Sequence, residues 1–161
     1  MTPPTGTPPT GTTPLEPTDA AIVAVLAKDG RCSFTDLAER VGLSVSTVHQ
    51  RVRRLEQRGV LQGYTARLDR AQLGLPLTAF VSLTPFDPSA PDDYPRRIAH
   101  LPEIESCYSV AGEASYLLVV RVASPVALED LLRQIRESAG VATHTTVVLS
   151  IPFEARPPPC E

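Results

Sequence analysis

The chain has 161 residues, of which 42% are hydrophobic and 20% charged, with a formal net charge of −3. That length suits one domain or two small ones, and the ordinary globular composition excludes a wholly disordered chain. The longest unbroken apolar run, residues 20–27, falls short of the roughly 18 residues of a membrane helix, and no secretory leader opens the chain; the expected setting is soluble and cytoplasmic, without membrane contact.

In chain order, residues 1–16 are expected to be a disordered Pro/Thr/Gly tail, because the repeat TPPTGTPPTGT offers almost no apolar surface to bury. Four prolines in the last ten residues mark 153–161 as a second tail. Charge then divides what lies between. Residues 17–63 hold seven Lys/Arg against five Asp/Glu, whereas residues 64–161 hold eight against twelve. Opposite balances point to two domains with different tasks. Cys32, Cys107 and Cys160 are separated by 75 and 53 residues, and His49, His100 and His144 are scattered. That spacing supports no disulfide framework, no metal site and no cofactor.

The basic segment reads as three helices. Thr18 is expected to cap the first, with Ile22, Val25 and Leu26 inward, and Asp29-Gly30 stops it. Ser33, with Asp36 three residues on, opens a short helix holding Leu37, Ala38 and Val41, which Gly42 ends. Ser44 caps a third helix running to about Arg58. Helix, short helix, Gly turn and helix form a helix-turn-helix.

On the third helix Val45, Val48, Val52 and Leu55 form an inward stripe, while Ser46, Gln50, Arg53 and Gln57 lie opposite, flanked by Thr47 and Arg54. That outer face carries hydroxyls, amides and guanidinium groups and no carboxylate, a donor set suited to the major groove of double-stranded DNA. The expected DNA-binding set is Ser44, Ser46, Thr47, Gln50, Arg51, Arg53 and Arg54. Within it Ser46, Thr47 and Gln50 are assigned to bases and the arginines mainly to phosphates. Residues 59–64 read as a wing, and residues 64–76 as a linker strand.

The acidic half, residues 77–152, alternates strands and helices. Strands are expected at 77–83, 104–110 (Ile104, Tyr108 and Val110 sharing one face), 116–122 and 141–151. One helix is capped by Asp92 or Asp93, with Tyr94, Ile98 and Leu101 inward. A second, starting at Ser124-Pro125 and stopped by Gly140, buries Leu128, Leu131, Leu132 and Ile135. The order β-α-β-β-α-β is the ferredoxin-like pattern, so the fold class is α+β: a winged helix-turn-helix joined by the linker strand to a ferredoxin-like domain. Two helices cover one face of such a sheet. The other, expected to show Phe80, Cys107, Leu117 and Val119, is suited to a second copy of the chain, giving a homodimer.

Residues 29–74, DGRCSFTDLAERVGLSVSTVHQRVRRLEQRGVLQGYTARLDRAQLG, resemble the signature of the Lrp/AsnC (feast/famine) family, and VAGEASYLLVVRV with GVATHTTVVLS resembles its ligand-sensing RAM domain. The resemblance implies a transcription regulator rather than an enzyme, acting as dimers or octamers, its DNA binding tuned by an amino acid or related metabolite. Carried over by position, the effector site would comprise Val110, Ala111, Gly112, Glu113, Ser115, Thr143 and Thr145. Ser115 stands where the family commonly has an aspartate, which would weaken any bond to a ligand's ammonium. Two other functions compete: a DNA-architectural protein that senses nothing, and a haem-pathway decarboxylase of the same architecture using His144 and Arg121.

Overall fold

The computed structural model describes residues 14–87, 89 and 91–157. Most of the N-terminal tail and Cys160 therefore lie outside the described residues. Among the described residues, backbone contacts divide the chain into two units: 14–66 with 153–157, and 67–152.

The first unit holds α1 (Pro17–Lys28), α2 (Phe34–Val41) and α3 (Val45–Gln57). The N-cap of α1 is Glu16 rather than Thr18, with Pro17 in the first helical position, where its missing N–H costs nothing. Residues 14–16 accordingly belong to this unit and not to a tail: Leu15 packs against its core. Helix α2 begins as expected, the Ser33 hydroxyl accepting from the Asp36 amide at 3.1 Å. It ends at Gly42, whose φ of 69° is left-handed backbone that glycine adopts without strain. Ile22, Leu26, Leu37, Ala38, Val48, Val52 and Leu55 form the shared core. Val45, expected inside, is 45% exposed; it lies at the edge of the stripe in the helix's first turn, where one side is left open.

The second unit is a four-stranded antiparallel sheet of order β2-β3-β1-β4, built from β1 (Leu77–Pro85), β2 (Ile104–Ser109), β3 (Tyr116–Val122) and β4 (Val141–Val147). Helices α4 (Tyr94–Ile98) and α5 (Pro125–Ala139) complete the β-α-β-β-α-β order. Ala79, Val81, Leu83, Leu118, Val120, Val122, Leu128, Leu131 and Ile135 are among its buried core residues.

Four expectations change here. Glu105 is a bulge between Ile104↔Val120 and Ser106↔Val119, so Ile104 shares the buried face of Val120 while Tyr108, opposite Leu117, lies on the other face. One extra residue reverses the alternation beyond it. The same register puts Cys107 opposite buried Leu118, not on the open face. Strand β4 stops at Val147 instead of Ile151, because β1, its neighbour, begins at Leu77 and offers no ladder beyond the Val148 N–H to Thr78 carbonyl bond. Residues 59–76 form no strand: the described chain supplies no partner ladder, and Asp69 accepts from the Ala71 and Gln72 amides to make a turn.

Leu118, fully buried on β3, should lose about 3 kcal/mol of stability as Leu118→Ala. Gly42→Ala should lose about 1 kcal/mol through its backbone alone. Urea unfolding followed by circular dichroism measures both.

Candidate nucleic-acid interface and effector region

Ser44 starts α3: its hydroxyl accepts from the Thr47 amide at 3.2 Å and lies 2.7 Å from the Thr47 hydroxyl and 3.1 Å from that of Ser46. Its geometry is that of a helix cap. Around the helix, Ser46, Gln50, Arg53 and Gln57 are all exposed and share the face opposite Val48, Val52 and Leu55. Arg53 makes no ion pair among the described residues, so its guanidinium is available to an incoming anion.

Arg51 and Arg54 are both engaged by carboxylates at the start of α1, partners the sequence did not reveal. Arg51 Nη1 donates to Asp19 Oδ1 at 2.7 Å and Glu16 Oε2 at 2.9 Å, and Arg54 Nη2 donates to Asp19 Oδ2 at 3.0 Å. The Asp19 side chain is entirely out of solvent. Burial alone would raise its pKa, but the hydrogen bonds and charge of the two guanidiniums win and hold it below the usual carboxylate value. On the opposite flank, His49 packs against Phe34 of α2 with ring centroids 4.9 Å apart. Helix α3 is thus gripped on both flanks, with its polar face outward.

Glu16, Asp19 and His49 were missed from sequence. Asp19 had a usable signal: with Ile22 and Leu26 it occupies the inward register of α1 at helical spacing. A carboxylate in that register needs cationic partners, and α3 carries three arginines.

In the second unit the residues assigned to an effector gather at one end of the sheet. Val110–Ser115 is the β2–β3 turn, closed by the Val110 N–H to Ser115 carbonyl bond at 3.0 Å. The Ser115 N–H donates to the Leu83 carbonyl, and Leu83 pairs with Thr143 on its other side. Turn and Thr143 therefore flank β1, with Thr145 two residues further along β4. Gly112 has φ 153°, and a Cβ there would meet nothing within 4 Å; it is required by its backbone and not by a close approach within the chain. Thr143 accepts from Arg136 of α5 at 3.1 Å, a partner sequence reasoning did not name. Beside the turn, the Tyr116 hydroxyl donates to Asp92 at 2.7 Å, and that bond, with burial, pushes the phenol up to about 12.

The sheet face away from the helices shows Phe80, Leu117, Val119 and Tyr108. At one end of that face Arg121 donates to Glu105 at 2.8 Å and Thr78 at 3.1 Å, and Glu105 also pairs with Arg70 at 2.8 Å. Arg121 is thereby committed to the protein. His144, opposite Ser82, is exposed.

A three-helix unit presenting such a face defines a helix-turn-helix DNA-binding protein, and residues 15–62 match the winged helix-turn-helix DNA-binding family. Residues 78–158 match the Lrp/AsnC ligand binding domain. The chain is 56% identical over 142 residues to the HTH-type transcriptional regulator LrpA of Mycobacterium tuberculosis, covering 88% of this chain and 95% of that one. It is 37% identical over 133 residues to LrpC of Bacillus subtilis, covering 81% and 90%. Among solved structures, a feast or famine regulatory protein of M. tuberculosis complexed with L-methionine superposes with a TM-score of 0.84 at 56% identity, covering 86% of this chain and 95% of that one. The chain belongs to the Lrp/AsnC family, and it is a DNA-binding transcription regulator. Its relatives are regulators, which disposes of the decarboxylase reading. No helix among the described residues is long and apolar enough to cross a membrane.

Because Asp19 has its pKa lowered from 3.8 on folding, its contribution is complete above that value and disappears as pH falls through the lower folded value. Thermal melts should show the helical unit losing stability below pH 4. Asp19→Asn should melt lower by about 5 °C at pH 7 and show less of that acid loss. If Asp19→Asn instead melts like the wild type at pH 7, the ion pairs of Asp19 do not hold α3 in place.

Proposed function

We propose that this regulator reads DNA with the outer face of α3 and that an amino acid, bound near the β2–β3 turn, changes that binding. The observation carrying the DNA half is the carboxylate-free exposed face of Ser46, Gln50, Arg53 and Gln57. Ser46, Thr47 and Gln50 then approach base edges, Gln50 with the bidentate amide that suits adenine, and Arg53 holds a phosphate. Residues 17–63 are the DNA-binding part and residues 77–152 the sensing and assembly part, acting in the cytoplasm.

Amino-acid sensing is supported by the L-methionine held by the structural relative. In this chain Gly112, Glu113, Ser115, Thr143 and Thr145 would form the contact region, with Glu113 the carboxylate that would substitute toward an ammonium where Ser115 lacks one. Val110 and Ala111 supply backbone polar groups from the same turn. The open sheet face, apolar at Phe80, Leu117 and Val119, is covered by a second copy, and dimers assemble further, up to octamers.

Fluorescence anisotropy with DNA from upstream of the chain's own gene, against scrambled DNA and with or without the twenty amino acids, tests the whole reading. Specific binding that shifts with the pool, by about 5–150-fold, supports a sensor. Specific binding that ignores it favours the architectural alternative. Gln50→Ala should weaken specific binding more than non-specific binding, and equal losses would remove its base-reading role. Arg53→Ala should lower the salt slope by about one unit, the loss of one phosphate contact.

A further inference from the structure

On one flank of α3 lies a cleft of about 300 Å³ lined by Thr47, Gln50, Arg51 and Arg54. Two guanidiniums with no carboxylate in the lining are a donor set for a phosphodiester. Both arginines are already engaged from α1, and the two carboxylates that engage them are not equivalent. Asp19 is fully buried and bridges both guanidiniums, whereas the Glu16 side chain is 61% exposed and reaches Arg51 at 2.9 Å and Arg54 at 3.8 Å. The four charges cancel, so a DNA strand approaching this flank meets a neutral cluster.

We propose that Arg51 and Arg54, where they border this cleft, form a DNA-backbone phosphate site, and that Glu16, which holds both from outside the lining, is its competitor. On binding, a phosphate replaces the Glu16 carboxylate on Arg51 and Arg54, while Asp19 stays and keeps both guanidiniums aimed. Burial decides which carboxylate leaves. An exposed ion pair contributes little and is readily broken, whereas a buried carboxylate stripped of its partners would be left uncompensated. The phosphate contact gains from the counterions DNA releases. Glu16 therefore holds down non-specific affinity without touching DNA. The proposal rests on the reading of α3 as the DNA-contacting helix.

The test is anisotropy titration of a short random-sequence duplex with the full chain across a salt series. It compares wild type, Glu16→Gln, Glu39→Gln (an exposed carboxylate on α2) and the double variant Glu16→Gln with Arg54→Gln, each checked by thermal melt. At low salt Glu16→Gln should bind about fivefold tighter than wild type, an ion pair's worth, and Glu39→Gln less than about twofold tighter. The double variant should lose the gain and about one unit of salt slope. Three results overturn the proposal: Glu16→Gln binding no tighter than wild type, Glu39→Gln matching its gain, or the double variant keeping the gain. Those failures leave α3 as the DNA-binding helix. Wild type binding no duplex at any salt would instead overturn both readings.

Discussion

A single buried carboxylate governs how this protein presents the outer face of α3. Asp19 lies in the apolar register of α1, where an unpaired charge would be intolerable, and two arginines one turn apart on α3 satisfy one oxygen each. Because Arg51 and Arg54 project from the same flank of α3, bonding both at once sets the helix's rotation about its own axis as well as its distance from α1. With Val48, Val52 and Leu55 packed inward and His49 against Phe34 on the far flank, little rotational freedom remains. The face of Ser46, Gln50, Arg53 and Gln57 points outward as a consequence of these contacts.

The second unit depends on a different constraint, the unequal covering of a four-stranded sheet. Helices α4 and α5 bury Val81, Leu83, Leu118 and Val120 almost completely, while Phe80 on the other face remains 40% exposed. The ion network of Arg121, Glu105 and Arg70 closes one end of that face. Glu105 is the bulge residue, so the irregularity that reverses the strand's alternation also supplies the carboxylate of the network. An apolar centre with a polar margin is the anatomy of a protein–protein contact, consistent with the proposed homodimer.

Much of this was legible in the sequence because periodicity and caps are local. Ser33, Ser44 and Ser124 cap the helices expected of them, Gly42 and Gly140 end two, and apolar patterning marks where the four strands lie along the chain. The outer face of α3 was equally readable, since a helix's angular pattern needs no tertiary information. What escaped was non-local. Arg51 and Arg54 look like free cations until the 32- and 35-residue separations to Asp19 are closed by folding. The bulge at Glu105 is visible only in the pairing with β3. The linker strand failed for a related reason: β-prone residues become a strand only where another strand supplies hydrogen bonds, and residues 64–76 have none in the described chain.

If two copies of α3 read DNA together, selection from a pool of random duplexes by the full chain tests it most directly. The expected product is a twofold-symmetric sequence whose half-sites lie about one helical turn, or a multiple of it, apart. An enriched pool with no symmetric motif, or no enrichment at all over naive duplex, would contradict paired reading.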